Sequence, residues 1–445
     1  MVLQNNGASL RKLLERFIKD TQGATAMIVA VGIVAVIILV GGAIDFGRLV
    51  QLRQNLQDSA DVASVGAIAV NSVAYKVGVS MNGNGTLSGG AAQALSIFDS
   101  NYQAAAELSA VSPNATVAKA NSVMTAKVSV TANYKSYILG MIGLGTIPIS
   151  VNSVSSATVP PYIDFYLLLD NSPSMGVGAT TADIDTMVAN TPDKCAFACH
   201  EDDKPGSDYY AKAKSLGVTT RIDVVRQATQ NLMTTAKSTE TIPNQYRMAI
   251  YHFGQAANAI DTKNPDAYKV SDLTPDLSKS AGDASAIDLM TIPYQGYNSD
   301  RQTNFDTVLK DMNNEIKNPG DGMSSNSPQK VLFFVSDGAT DSYDCAYSNG
   351  NTCRRITPLD TTTCKVLKNR GVRIAVLYTT YLPLPTNSFY NSYMAKYVTP
   401  TSQIAAQMQD CASDGLYFEV SPSEGISPAM SALFQRVVSV VRINS

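Results

Sequence analysis

Nineteen consecutive residues without a charge, Ala26 to Ile44 (AMIVAVGIVAVIILVGGAI), limit this chain more than any other feature. A helix of that length rises ~30 Å at ~1.5 Å per residue, which matches the hydrocarbon core of a bilayer. The apolar core exceeds the ~7–15 residues of a cleaved signal peptide, so it reads as a permanent span. Arg11, Lys12, Arg16 and Lys19 precede it, whereas Arg48 and Arg53 follow it among Asp45, Asp58 and Asp61. This bias predicts a short cytoplasmic lead over 1–25, a transmembrane helix over 26–44, and the rest of the chain on the outer side.

The helical pattern continues beyond the span. Leu49, Leu52, Leu56, Ala60, Ala63 and Ala67 recur at spacings of three and four, so one helix is expected to about residue 70. Its stripe of Leu and then Ala suits close packing, either on a helix of another subunit or on the chain's own outer domain.

With 445 residues, the chain has room for two or three domains. Charged residues make up 16% and the net charge is -3, which excludes a nucleic-acid binder relying on a basic face. Six cysteines, Cys195, Cys199, Cys345, Cys353, Cys364 and Cys411, all lie on the expected outer side. An even number in an oxidising compartment predicts disulfides. Short loops favour Cys195 with Cys199 and Cys345 with Cys353, which leaves Cys364 with Cys411.

Residues 71–159 read as a small α+β segment. Asn, Ser and Gly clusters over 71–100 indicate loop, and the runs 116–134 and 146–159 alternate like strands. Pro160 and Pro161 mark a boundary. From 162 onward, apolar strands alternate with amphipathic helices, the pattern of a doubly wound α/β domain. The last helix is expected to start with Ser427 as N-cap and Pro428 at its first position. Ligands of such sheets sit beyond the carboxyl ends of the strands. Asp170 and Asp337 each follow an apolar strand at that edge.

Asp170, Ser172 and Ser174 alternate along an extended loop, so one carboxylate and two hydroxyls can converge. Thr303-Asn304 opens a helix, and Ser336-Asp337-Gly338 follows the strand 331–335. Oxygen-only donors of this kind suit a hard cation. Two facing carboxylates also need a cation or a proton between them. The plainer reading is that Ser172 and Ser174 cap a turn and Asp337 caps a helix. The ordered set DxSxS, Thr and SDG resembles the von Willebrand factor A (vWA) domain with its metal-ion-dependent adhesion site, over about 162–442. That resemblance implies a Rossmann-like fold and assigns Asp170, Ser172, Ser174, Thr303 and Asp337 to Mg2+ (or Mn2+ or Ca2+). It also implies a protein ligand that offers an acidic side chain. Two insertions, 176–220 and 254–302, open near the metal edge, as a cap over it would.

Cys195-Ala-Phe-Ala-Cys199-His200 has one residue too many for haem attachment, and His252 ends a strand as a structural histidine does. No Ser-His-Asp or Cys-His-Asp arrangement can be assembled from two histidines, so no enzyme is expected.

The N-terminal segment has its own likeness. Gln22-Gly23-Ala24-Thr25-Ala26, the apolar run, Asp45-Phe46-Gly47-Arg48 and Leu56 to Asp61 resemble TadE/TadG-type proteins of the Flp (tight-adherence) pilus system, with a pilin-like anchoring helix. The processed members carry a glutamate five residues after the cleavage glycine. Ile28 stands there if Gly23 is that glycine, so permanent anchoring is expected. Together the two resemblances imply a TadG-like component of a pilus assembly or secretion apparatus, held in a bacterial inner membrane with its outer domain in the periplasm. The alternative is a surface adhesin that uses the same site on a host or matrix protein.

Overall fold

The computed structural model describes residues 21–81, 83–143, 145–253, 267–294, 303–343, 354–380, 388, 390–399, 401–421 and 425–444. The chain forms two compact units. One comprises residues up to 78 with 84–157, the other 79–83 with residues from 158 onward.

The first unit is built on a single helix, Thr21–Ala67. At ~1.5 Å per residue it is ~70 Å long. Its apolar side chains from Met27 to Ile44 are mostly exposed, and among the described residues it is the one helix long and apolar enough to cross a membrane. Beyond Asp45 the stripe Leu52, Leu56, Ala60, Ala63 and Ala67 is buried. It packs on the helix Gly90–Asn101 and on a four-stranded sheet ordered β1 (Gly85–Thr86), β2 (Leu108–Ala120), β3 (Val123–Lys135), β4 (Thr146–Thr158). The stripe is therefore covered by its own unit.

Two expectations for this unit are corrected. Residues 71–100 are not loop: they hold the helices Val73–Ser80 and Gly90–Asn101. Glycine by itself signals a turn, but Gly90 serves a close approach. A Cβ at Gly90 would meet Ala74 at 2.8 Å and Val117 at 3.0 Å. The alternating run 116–134 is two strands, not one. Asn121, with φ of 54°, turns the chain and sends β3 back antiparallel along β2.

The second unit holds a six-stranded sheet ordered β14 (Tyr417–Val420), β13 (Arg373–Thr379), β10 (Gln329–Ser336), β5 (Ile163–Leu169), β7 (Tyr246–His252), β8 (Tyr268–Thr274), and two short ladders, β6 (His200–Glu201) with β9 (Thr291–Ile292) and β11 (Ala339–Tyr343) with β12 (Arg354–Pro358). The first five run parallel, and β8 is an antiparallel edge strand drawn from the second insertion. Every residue of β5 is buried, as expected for a strand covered on both faces. Phe165, Leu167, Leu169, Phe333 and Val335 face the helices Arg221–Thr239 and Ile426–Asn444. Tyr166, Leu168, Leu332 and Phe334 face Phe305–Glu315, Thr362–Asn369 and Gln403–Cys411. The chain passes from β5 to β7 on one side, then returns to β10 on the other. Loops after β5 and β10 thus diverge at a topological switch point, where open α/β sheets form their crevice.

The closing helix begins at Ile426, so Pro428 lies in its first turn rather than at its first position. Amides there have no intrahelical acceptor, and proline costs nothing. Ser427 Oγ instead accepts a hydrogen bond from Asn231 Nδ2 at 3.0 Å. Cys364 and Cys411 are disulfide-bonded and tie two helices on one sheet face. Cys195 and Cys199 are unbonded, contrary to expectation. The Cys195 thiol bonds instead with the Phe197 backbone. Cys345 and Cys353 lie outside the described residues.

Candidate metal centre

The site begins with the ladder between β5 and β10. Leu169 pairs with Val335, and Asp170 N–H donates to the Val335 carbonyl at 2.9 Å. Asp170 therefore leaves the sheet at the level of Ser336, with Asp337 next along the adjacent strand. Asp170, Ser172, Ser336 and Asp337 are all fully buried.

Asp170 is held from both sides. Its Oδ1 accepts from Ser172 N–H at 2.9 Å and from Ser172 Oγ at 2.5 Å. Its Oδ2 accepts from Ser336 Oγ at 2.6 Å. Ser172 Oγ also lies 3.0 Å from Ser174 Oγ. Burial, then the Asp337 charge, push the Asp170 carboxyl up from its ordinary value, against the hydrogen bonds of Ser172 and Ser336. Two carboxylates thus meet at one buried sheet edge, where the Asp337 charge disfavours ionisation of Asp170.

Thr303 is also buried. Its N–H donates to Asp341 O at 3.0 Å and its carbonyl accepts from Asp341 N–H at 3.2 Å, so it is pinned to the strand β11 (Ala339–Tyr343) that follows Asp337. The helix it precedes starts at Phe305 with Asn304 as N-cap, whose Oδ1 accepts from Thr307 N–H.

Sequence reasoning missed the roles of three residues here. Ser336 bonds directly to Asp170. Asn171 ties the loop to the second insertion: its carbonyl accepts from Met290 N–H at 2.8 Å, Nδ2 donates to Asp288 O, and Oδ1 accepts from Phe253 N–H. Arg221, also fully buried, places Nη1 3.9 Å from Asp337 Oδ2 and donates from Nη2 to Thr380 O at 3.1 Å. Arginine in the first turn of a helix opposes the helix dipole, which was the available sign of a tertiary partner. The first insertion folds back on its own start, directly after the site loop, through bridges Val177–Phe197 and Gly178–Thr220. His252 is buried and stacked on Tyr268.

Among the described residues no three Cys, His, Asp or Glu side chains are grouped to hold a metal. Asp170, Asp337 and the hydroxyls of Ser172 and Ser174 are a donor set whose chemistry suits a hard divalent cation through oxygen alone.

Residues 23–71 match a family described as putative Flp pilus-assembly TadE/G-like. The chain is similar to the vWF domain of the type V pili tip protein Mfa5 from Porphyromonas gingivalis, at 11% identity over 64% of this chain and 97% of that one, with a TM-score of 0.32. It is also similar to a point mutant of the PilB minor pilin from Streptococcus sanguinis, at 9% identity over 76% and 80%, with a TM-score of 0.34. A von Willebrand factor type A protein from Catenulispora acidiphila matches at 8% identity over 76% and 50%, with a TM-score of 0.27. No curated protein matches the chain.

Proposed function

We propose that this chain, with its TadE/G-like N-terminal segment and its vWA-like α/β domain, is a membrane-anchored component of Flp pilus assembly or secretion. The Thr21–Ala67 helix would hold it in the inner membrane of a bacterium, with the second unit in the periplasm. That unit would bind a protein partner at the switch point between β5 and β10. The observation that carries this reading is the convergence of Asp170, Ser172, Ser174 and Ser336 in one hydrogen-bonded cluster, with Asp337 at the neighbouring strand end.

Asp170, Ser172, Ser174, Thr303 and Asp337 would hold Mg2+ or Mn2+. Bound there, the cation would offer a coordination position to an acidic side chain of the partner. The two protein carboxylates would formally balance the cation and the hydroxyls add no charge, so Arg221 beside Asp337 would leave the site positive toward that ligand. Asn171 and Ser336 would fix the geometry of the loop. No catalytic step is assigned to this site.

The test is a pull-down from solubilised membranes with and without chelator, using wild type and Asp170→Ala. A partner lost both on chelation and in the variant supports metal-bridged recognition. A partner retained in both conditions would falsify it. Fractionation separates assembly from adhesion, since release to the cell surface would favour an adhesin.

A further inference from the structure

The connection between β3 and β4 runs through Ser136-Tyr137-Ile138-Leu139-Gly140-Met141-Ile142-Gly143, eight residues without a charge. A 3-10 turn over Leu139–Ile142 shapes it. It leaves large apolar side chains in the open: Tyr137 is 63% exposed, Met141 84% and Ile142 49%. Three exposed apolar side chains on one short connection are a poor arrangement for a loop in water.

The place of this connection along the long helix explains it. Asp45 is the first charged residue after the apolar run, and its buried carboxylate is given over to the connection. Oδ2 accepts from Ile138 N–H and Leu139 N–H, both at 2.9 Å. Oδ1 accepts from Tyr137 N–H and Tyr134 OH, both at 3.3 Å. One helical turn earlier, on the apolar side of Asp45, the connection touches the helix itself. A Cβ at Gly41 would lie 2.4 Å from Ile138 Cγ2, and one at Gly42 3.2 Å from Leu139 Cδ2. Glycine at 41 and 42 is what lets the connection lie against the helix.

The exposed apolar stretch Met27–Ile44 rises ~27 Å, close to the ~30 Å hydrocarbon thickness. Its outer end is therefore the level at which acyl chains meet headgroups, and the connection sits at that level. Exposed Phe46 on the helix and Tyr137 on the connection supply the aromatic rings that favour this zone. Lys135, exposed at the end of β3, is a cation at headgroup height.

We propose that the Tyr137–Ile142 connection is a second membrane contact, a wedge that lies in the headgroup–acyl boundary beside the spanning helix. This inference rests on the reading of the helix as a membrane anchor. The occupant is the lipid surface, because the apolar side chains of the connection continue the apolar surface of the helix without a charged gap. Helix and wedge together fix the first unit against tilting and rotation, which a lone helix permits.

The chain contains no tryptophan, so single-tryptophan variants report without background. Full-length Met141→Trp, Val34→Trp and Val154→Trp are reconstituted in phosphatidylcholine vesicles whose acyl chains carry bromine near the headgroup or near the methyl end. Val34 lies within the apolar run. Val154 is similarly exposed but adjoins Asn152, whose carbonyl accepts from Gln57 on the helix, ~20 Å beyond Ile44. Tryptophan at 141 should emit to the blue and lose about half or more of its intensity to the shallow bromines, as a group buried ~5–10 Å in the boundary would. Tryptophan at 34 should be quenched best by the deep bromines, and that at 154 by neither. Quenching at 34 with none at 141 overturns the wedge and leaves the anchor standing. A blue-shifted but unquenched 141 assigns the connection to a protein contact, such as a second copy, and also overturns it. No quenching at 34 removes the anchor, and the wedge with it.

Discussion

Arg221 Nη1 lies 3.9 Å from Asp337 Oδ2, and both side chains are fully buried. Arg221 reaches this position from the first turn of the helix Arg221–Thr239, with its N–H on Val177 O and its guanidinium on Thr380 O. It thus draws the site loop and the end of β13 together. The guanidinium also sets one fixed positive charge beside a pair of buried carboxylates. A divalent ion at Asp170 and Asp337 would share that edge with a cation that never leaves.

This relationship predicts how the domain behaves without metal. Arg221→Met keeps the bulk and deletes the charge, leaving two carboxylates to repel. Removing one partner of a buried pair costs ~3–5 kcal/mol. The loss should be large in chelator and substantially recovered in Mg2+, because the ion supplies the missing charge. Thermal unfolding followed by tyrosine near-UV circular dichroism reads this directly, with 21 tyrosines and no tryptophan in the chain. An equal loss in chelator and in Mg2+ would show that Arg221 acts by packing alone.

Asp170 should be the residue on which any metal response depends. In wild type, Mg2+ or Mn2+ should raise the melting temperature; at ~100 times its dissociation constant a ligand adds ~2.7 kcal/mol. Asp170→Ala should abolish the rise. Ser336→Ala removes a hydrogen bond to the same carboxylate, worth ~1.5–3 kcal/mol when an acceptor is charged, and should lower stability while leaving a reduced response. Equal metal stabilisation of wild type and Asp170→Ala would remove the site from consideration.

The two carboxylates are legible in the sequence because each follows an apolar run, and a run of that kind ends at a sheet edge. Ser172 and Ser174 are legible as hydroxyl donors beside Asp170, but not by alternation along an extended loop: Ser174 lies in the 3-10 turn Pro173–Gly176, and that turn brings the two hydroxyls within 3.0 Å. Arg221 is not, since on a helical wheel it is one polar residue of an amphipathic helix. Its burial depends on Val177 and Thr380, which only the fold brings near. The helices Val73–Ser80 and Gly90–Asn101 are hidden for a different reason. Glycine marks turns by its backbone freedom and close contacts by its lack of a side chain, and one sequence does not separate the two roles.

The Cys364–Cys411 bond closes a loop with a sequence separation of 47 residues. In the chain-entropy description a loop of this size is worth about 4 kcal/mol. Both cysteines are buried, on the helices Thr362–Asn369 and Gln403–Cys411, which pack on one sheet face. A Cys364→Ser/Cys411→Ser double variant should unfold at clearly lower urea with a similar slope. A midpoint unchanged from wild type would mean that helix packing alone holds these elements.

Acid should act on the first insertion through Asp208. Burial opposes ionisation of this carboxylate, but N–H groups of Ala211 at 2.7 Å and Glu201 at 2.9 Å, and His200 Nδ1 at 2.7 Å, hold it below its ordinary value of 3.8. A group with a depressed folded pKa contributes stability that is fully present above its unfolded value and lost as pH falls through the folded one. The contribution of Asp208 is therefore intact near neutral pH and disappears only below ~4. Asp208→Asn keeps the shape, but its amide cannot accept from all three donors, so the variant should be less stable near neutrality. It should also lose part of the downturn of stability below ~4, so that the two curves converge in acid. Urea unfolding across this range checks both limbs. Parallel curves, with a constant gap down to the lowest pH, would show that the loss in the variant is one of packing and not of charge.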